Sequence, residues 1–395
     1  MEYQKRSKRL DSEVSDSSVS QKISKKSKKI KKEKEHKIKN KVIENVVSFE
    51  DESDFEVVPQ QNEINKKEAK LQAKTEKSRN YFKETKRNFT ISVVVPSSII
   101  DNAQSLELKT YLVGQIAKAC GQFSVNEIIV FSNDRSSQMK NLPSDGNVTT
   151  TEFFVKNLEY IETPQYLRKA LFPRHSALRY TGLTNPLEAP HHLKITEWCK
   201  YREGVVINRP VSYGKGSWVN IGLPKDCQVD IKIEEGTRVT VKLNENGFDN
   251  TKYYSGVVVS QTEPTDEFGY FWGYNVRVAQ KFEDIVEQCP FEDGSYDLKI
   301  GVSENGETPE FIDYTKYSDF KHALVFFGGL EGIEGIIEQD ERTKLSTVAI
   351  KKMFDLLVNP LPERGTRTIR TEENILVTLS SLYPKFRQFG AHLQN

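Results

Sequence analysis

Three short stretches in the last third of the chain carry residue types that could hold and orient a small polar ligand. "RGTRTIRTEENILVTL", Arg364 to Leu379, sets a glycine, three threonines and three arginines ahead of two acids and an apolar helical pattern that holds a fourth threonine. Thr371 is a plausible N-cap, and Glu372 and Glu373 in a first helical turn suit the positive end of the helix dipole. Carboxylates at that position would equally favour a ligand with a cationic centre. Arg367 and Arg370 suit bidentate contact with phosphate or with a deprotonated base. Alternatively they pair with Glu363, Glu372 or Glu373. "LVFFGGLEG", Leu324 to Gly332, places Gly328 and Gly329 where an apolar strand stops. Either they make a tight strand-to-helix turn or they let backbone approach a planar ligand. "LLVNP", Leu356 to Pro360, ends a third apolar run with Asn359.

Elements that would bring these loops together can be read upstream. "FTISVVVP" from Phe89 and "VNEIIVFSND" from Val125 are continuous apolar runs, as in strands covered on both faces. Between them Leu106, Leu108, Leu112, Ile116 and Ala119/Cys120 follow helical spacing. "FFVKNLEYIETPQYLRKALF" resumes as helix after an exposed loop from Arg135 to Thr151. "YDLKIGVSE", "HALVFFGG" and "FDLLVNP" add strands, and "TEENILVTLSSL" a helix. In parallel α/β sheets ligands sit beyond the carboxyl ends of strands, where such loops converge. From Gly204 to Ala279 the texture differs. "GVVINRP", "GSWVNIGLP", "CQVDIKI", "TRVTVKL", "YSGVVVSQ" and "WGYNVRVA" are short strands split by Gly, Pro and Asn turns, which predicts a small antiparallel barrel. The expected fold class is therefore an α/β parallel-sheet domain over residues 89–200 plus 281–395, interrupted by an OB-like barrel at 201–280. It follows a lysine-rich tail, 1–88.

The 395 residues are 36% hydrophobic and 29% charged, and the charge is segregated. Residues 1–88 hold 24 Lys/Arg against 16 Asp/Glu, a net +8, and the remainder is net −7. "SKKSKKIKKEKEHKIKNK", Ser24 to Lys41, has too few apolar residues to bury anything and reads as a disordered nuclear-localisation and RNA-tethering arm, or as a solubilising tail. An acidic patch, Phe49 to Glu56, and a charged helix or linker, Lys66 to Arg87, follow. Cys120, Cys199, Cys227 and Cys289 form no CxxC pair, which argues against a zinc ribbon or disulfide scaffold and fits a reducing compartment. No apolar run reaches 18 residues, so the expectation is a soluble intracellular protein without a membrane span. His191 and His192 are adjacent and lack a Cys or His cluster, so no metal is assigned. Neither GxGxxG nor GxxxxGK[ST] is present. "VSYGKGSW", Val211 to Trp218, has Gly216 where a P-loop needs Ser or Thr, and reads as a basic turn containing Lys215.

The ordered body resembles the SPOUT class of RNA methyltransferases, built on an α/β trefoil knot, in the eukaryotic and archaeal branch with an OB-like barrel inside the catalytic domain. The resemblance rests on "SVVVPSSIIDNAQSLELKTYLVGQIAKAC", "PQYLRKALFPRH", "TGLTNPLEAPHH" and "HALVFFGGLEG…LVNP…GTRTIRTEENIL". It implies S-adenosylmethionine among Ser303, Glu304 and Asn305, then Gly328, Gly329 and Leu330, then Asn359 with Gly365 to Thr371, including Thr368 and Ile369. Backbone groups of Gly329, Asn359 and Ile369 would hold adenine and ribose. Related proteins often carry a basic residue at the position of Asn305. The implied activity is methylation of ribosomal or precursor-ribosomal RNA, with uridine N3 ahead of ribose 2′-OH as acceptor, by a nucleolar homodimer. A carboxylate near the sulfonium would favour the charged cofactor over its neutral product. If proton removal is needed, the devices are Glu372 or an oxyanion held by Arg367 or Arg370. The rival reading is a ribosome-assembly factor that keeps the fold without turnover.

For RNA contact, "YLRKALFPRHSALRY" offers Arg168, Lys169, Arg174, His175 and Arg179 interleaved with aromatic rings, or else a solvated helix face. In the barrel Tyr253, Tyr254, Tyr270, Phe271, Trp272 and Tyr274 could stack on bases, though strand alternation sends half of them inward.

Overall fold

The structure, a computed structural model, describes residues 87–133, 148–244, 252–329, 332–339 and 352–391. The lysine-rich tail, the charged linker up to residue 86, most of the loop expected from Arg135, and Leu330 lie outside them.

Strand β1 (Thr90–Pro96) is apolar and β-branched, as a doubly covered strand requires. Helix α1 (Leu106–Gln122) is capped by Ser105, whose side chain accepts from the Leu108 N–H. β2 (Glu127–Phe131) and α2 (Thr150–Glu162) follow, and then α3 (Gln165–Leu171). The run expected as one helix breaks between α2 and α3 because Pro164 keeps Thr163 extended.

Next come β3 (Tyr201–Ile207), β4 (Trp218–Asn220), β5 (Cys227–Gln228), β6 (Arg238–Leu243) and β7 (Tyr254–Val259), which close into a barrel in the order β3-β4-β5-β7-β6. Alternate strand residues Val219, Ile221, Cys227, Val229, Val239, Val241 and Leu243 fill it. After α4 (Glu263–Phe268) the chain returns through β8 (Asn275–Ala279), α5 (Phe282–Glu287), β9 (Leu298–Glu307), β10 (His322–Phe327), α6 (Gly332–Gln339), β11 (Leu356–Val358) and α7 (Thr371–Phe389).

Six strands form the main sheet in the order β11-β9-β10-β1-β2-β8, and every pair is parallel. Successive residues of β1 divide between the two faces. Ile91, Val93 and Val95 pack under α1, α2 and α7. Val94 packs with Ile129, Phe326 and the α5 and α6 residues Phe282, Ile285, Ile333 and Ile336. One expectation is corrected: "WGYNVRVA" is not a barrel strand. Its Asn275–Ala279 pairs with β2 at the edge of the parallel sheet.

The barrel joins the sheet domain through buried ions. Glu162, at the end of α2, accepts from Arg238 Nη1 at 2.5 Å and Nη2 at 3.0 Å, and Arg238 Nε reaches Glu203 of β3 at 2.7 Å. Trp272 Nε1 and Thr240 Oγ1 also donate to Glu203, at 2.7 and 2.6 Å. His191 Nε2 lies 2.9 Å from Glu162. Burial would push the Glu162 carboxyl up, but His191 and Arg238 outweigh it and hold it down at about 2. His192, pushed down to about 3 by burial and by His191, is neutral and donates to the Glu162 carbonyl at 2.6 Å. The adjacent histidines thus serve the joint between the two parts.

Candidate cofactor cleft and RNA-facing surface

A cleft opens at the carboxyl ends of β9, β10 and β11. Ser303 and Glu304, Gly328 and Gly329, Asn359 to Leu361, Arg364, Thr368, Ile369, Thr371 and Asn374 line it. Its first wall is a bulge. Leu357 of β11 pairs with Gly301, but the next residue, Val358, pairs with Glu307, so Val302 to Gly306 have no partner on β11, Val302 still pairing with Phe327 of β10. Asn359 holds the bulge closed: its N–H donates to the Glu307 carbonyl at 2.9 Å and its Nδ2 to the Glu304 carbonyl at 2.9 Å. A Cβ on Gly306 would stand 2.4 Å from the Val358 carbonyl carbon, so only glycine allows this approach.

The two central glycines have different duties. A Cβ on Gly328 would lie 2.2 Å from the Gly332 backbone, whereas one on Gly329 would meet only Ile336 Cδ1, at 3.8 Å. Gly328 therefore makes the turn, and Gly329 keeps space open over the cleft. Leu330 is outside the described residues.

The third wall is the Arg364–Thr371 segment. Arg364 donates to the Arg367 carbonyl at 2.8 Å and to Thr366 O at 3.2 Å, and its guanidinium pairs with Glu304. Nothing in the type pattern singled out Arg364 from its two neighbours; its role as a clip depends on the bulge carrying Glu304. Arg370, not Thr371, occupies the cap of α7, with its N–H donating to Glu373 at 3.3 Å. Thr371 is the first helical residue, and its hydroxyl donates to the Gly328 carbonyl at 3.1 Å.

Other expected site residues fall elsewhere. Glu372 is buried, is not among the cleft-lining residues, and accepts from Arg370 Nη1 at 3.3 Å. The acid set against a sulfonium is thus outside the cleft lining, and the carboxylate that does line it, Glu304, is itself paired with Arg364. Asn305 turns aside: its Nδ2 and the Ser303 hydroxyl both reach Glu334 on α6, at 3.4 and 2.8 Å. Gly365 is exposed at the rim, with open space around it. Arg367 and Arg370 are exposed and, though adjacent in sequence to the lining residues Thr368, Ile369 and Thr371, do not themselves line the cleft.

Among the expected RNA contacts, Lys169, Arg174, Arg179 and Lys215 are exposed. Arg168 is corrected to an internal role. Its Nε and Nη2 donate to the Thr163 and Ile161 carbonyls at the end of α2, at 2.9 and 3.2 Å, and its guanidinium covers the Tyr160 ring. A cation there satisfies helix-terminal carbonyls that lack partners in the helix. Phe271, Trp272 and Tyr274 are buried, and the Tyr274 hydroxyl donates to Leu158 O at 2.9 Å. They are core, not stacking surface.

A larger groove, of about 1320 Å³, runs between the end of α1, α3, the Pro186–Glu197 segment and Gly222 of the barrel. It lies where β2 begins, at the opposite end of the sheet from the glycine turn and the bulge, and lacks that donor set. Among the described residues there is no group of three His, Cys, Asp or Glu side chains able to hold a metal, and no helix long and apolar enough to cross a membrane.

An α/β parallel sheet with a ligand cleft at its strand ends and an inserted barrel defines a class, and the sequence comparisons name it. The family described as "Putative RNA methyltransferase" matches residues 90–382, and the chain belongs to that family. The chain is 43% identical over 311 residues to a "28S rRNA (uridine-N(3))-methyltransferase" of Homo sapiens, covering 77% of this chain and 81% of that protein. It is 40% identical over 332 residues to the Drosophila melanogaster protein of the same name, covering 81% and 67%. A "Putative methyltransferase spot-1" of Caenorhabditis elegans is 36% identical over 314 residues, covering 74% and 80%.

The methyl donor of such enzymes is S-adenosylmethionine, and most residues expected to hold it, among them Ser303, Gly328, Gly329, Asn359, Ile369 and Thr371, line this one cleft. Gly329 leaves room for a planar ring against backbone, and Asn359, Ile369 and Glu304 line the same cleft, the Glu304 carboxylate being paired with Arg364.

Proposed function

We propose that this protein methylates N3 of a uridine in ribosomal RNA. The observation that carries the reading is the convergence of the β9 bulge, the Gly328–Gly329 turn and the first turn of α7 on one cleft, with exposed Arg367 and Arg370 on the segment that forms its third wall. The 40–43% identity to uridine-N3 methyltransferases supports the choice of acceptor.

Bound in the cleft, S-adenosylmethionine supplies an electrophilic methyl group. The protein's part is placement and charge. Backbone of Gly329, Asn359 and Ile369 would hold the adenosine, Glu304 would add negative charge to the cleft, and the Thr371–Gly328 tie fixes the spacing of its walls. Uridine N3 attacks only when its proton is lost, and the charge then spreads onto the flanking carbonyl oxygens. Arg367 and Arg370 hold that oxyanion and the neighbouring phosphate while the proton passes to water.

The reading includes a SPOUT knot and a homodimer. Leu108 and Tyr111 on α1 and Leu376 on α7 are exposed apolar residues on two helices packed together, a surface suited to a second copy. It also includes work in the nucleolus on ribosome biogenesis, with the lysine-rich tail as RNA tether. Mass spectrometry of rRNA nucleosides from cells with and without the protein tests it. Loss of 3-methyluridine is expected; an unchanged profile with defective ribosome assembly sinks it.

A further inference from the structure

We propose that the β3–β4 hairpin loop, Asn208–Ser217, is a preformed finger that binds single-stranded RNA by stacking an unpaired base on Tyr213, with Lys215 on the adjoining phosphate. This rests on the methyltransferase reading for its ligand class. It also accounts for "VSYGKGSW", which the cofactor cleft leaves without a role.

The base of the finger is rigid. A Cβ on Gly216 would come within 2.3 Å of the Val229 carbonyl oxygen, so the loop lies flat on the barrel there. Ser217 donates through its N–H to Ile231 O at 2.9 Å and through its hydroxyl to Ile233 O at 2.9 Å. On the other arm, Trp218 Nε1 donates to the Pro210 carbonyl at 3.2 Å, and Arg209 lies 4.0 Å over the Trp218 ring.

The tip is a four-residue turn, Ser212 to Lys215, closed by the Lys215 N–H to Ser212 O at 3.1 Å, with Gly214 at φ +77°. A glycine in that conformation at the third position is what a type II turn needs. The turn holds Tyr213 at its apex, and the ring is fully exposed. An aromatic side chain left wholly in water on a fixed turn gains nothing from folding; its faces are free for a base. Ile231, 48% exposed, extends the apolar surface beside the finger's base.

Cations stand over aromatic rings beside the finger, although exposed Asp230, Glu234 and Glu235 lie on the segment beneath its base. Lys215 lies 5.9 Å over Tyr253, which itself packs edge-on against Trp218 with centroids 5.1 Å apart. Lys225 lies 5.9 Å over Tyr254. Asp226 is neutralised by Arg209 at 3.0 Å. Cations alternating with aromatic rings are the make-up of a single-strand platform, whereas duplex RNA hides its base faces.

The test uses the full chain and fluorescence anisotropy with end-labelled oligouridylate and a blunt RNA duplex. Tyr213→Ala should weaken oligouridylate binding by about tenfold, Tyr213→Phe should bind as wild type, and duplex affinity should not change. Lys215→Gln should lower the salt slope by about one phosphate contact. Because the Tyr213 ring is wholly exposed, the thermal midpoint of each variant should equal that of the wild type. No oligouridylate binding by the wild type, equal affinity in Tyr213→Ala, an equal loss on duplex, or a loss in Tyr213→Phe would each overturn stacking; equal affinity would turn attention to a protein partner. Calorimetry with S-adenosylmethionine on the same samples separates this from the cofactor reading. Cofactor binding with RNA affinity indifferent to Tyr213 removes the finger alone. Finger-dependent RNA binding without cofactor binding removes the methyltransferase reading alone.

Discussion

The Thr371 hydroxyl donates to the Gly328 carbonyl oxygen at 3.1 Å, and both partners are out of solvent. This bond ties the first turn of α7 to the end of β10 and so sets the spacing of two cleft walls. Thr371→Val keeps the shape and removes the donor. It should cost about 1–2 kcal/mol of stability, from the lost bond and the carbonyl left unpaired. S-adenosylmethionine affinity, measured by calorimetry, should fall by more than that of a distant surface variant of equal stability. Unchanged affinity would show that the tie serves the fold alone.

Gly328 and Gly329 should respond in opposite ways. Gly328→Ala drives a methyl into the Gly332 backbone at 2.2 Å, so it should lower the thermal midpoint with or without ligand. Gly329→Val adds bulk only toward open space and Ile336; it should melt like the wild type yet lose cofactor binding. A Gly329→Val protein that binds normally would place the cofactor elsewhere.

Arg364 clips the loop to the bulge through Glu304 and the Arg367 and Thr366 carbonyls. Arg364→Ala should leave the sheet intact and raise KM for S-adenosylmethionine, whereas Arg367→Ala should raise KM for RNA. Steady-state kinetics with each substrate varied in turn checks this split, and identical effects of the two variants would contradict it.

The buried joint gives a pH dependence with a definite sign. Glu162 titrates at about 2 in the folded protein against 4.5 when unperturbed. A depressed acid contributes stability that is whole above about 4.5 and is lost as pH falls through 2. His192, at about 3 against 6.5, acts in the same direction, since the unfolded chain takes up its proton first. Denaturant melts should therefore show falling stability below about pH 6.5, and Glu162→Gln should flatten the lower limb. Arg238→Met leaves Glu162 and Glu203 without their shared cation and should cost about 3–5 kcal/mol at neutral pH.

The parts of the fold that could be read in the sequence are those written in continuous apolar runs or helical spacing. β1, β10, α1 and α7 belong here, because burial on two faces or one stripe leaves its period in the chain. The membership of β8 was not readable: Asn275–Ala279 has strand residues, but which sheet it joins depends on its register against β2, set by residues far away. The cleft loops were identified because three strand ends crowd into the last third. Glu372 and Arg168 were misplaced because residue type does not say which way a side chain turns. An arginine closing a helix end reads like one facing water, and an acid in a first turn reads the same whether it faces a ligand or its neighbour Arg370.

One measurement bears most directly on the central claim. The full chain is incubated with S-adenosylmethionine labelled in its methyl group and with unmodified ribosomal RNA, and the RNA is digested to nucleosides and resolved. Label in 3-methyluridine, absent with Gly329→Val, is the expected result. No label in any nucleoside, from protein that still binds both cofactor and RNA, would contradict it and leave an assembly factor in its place.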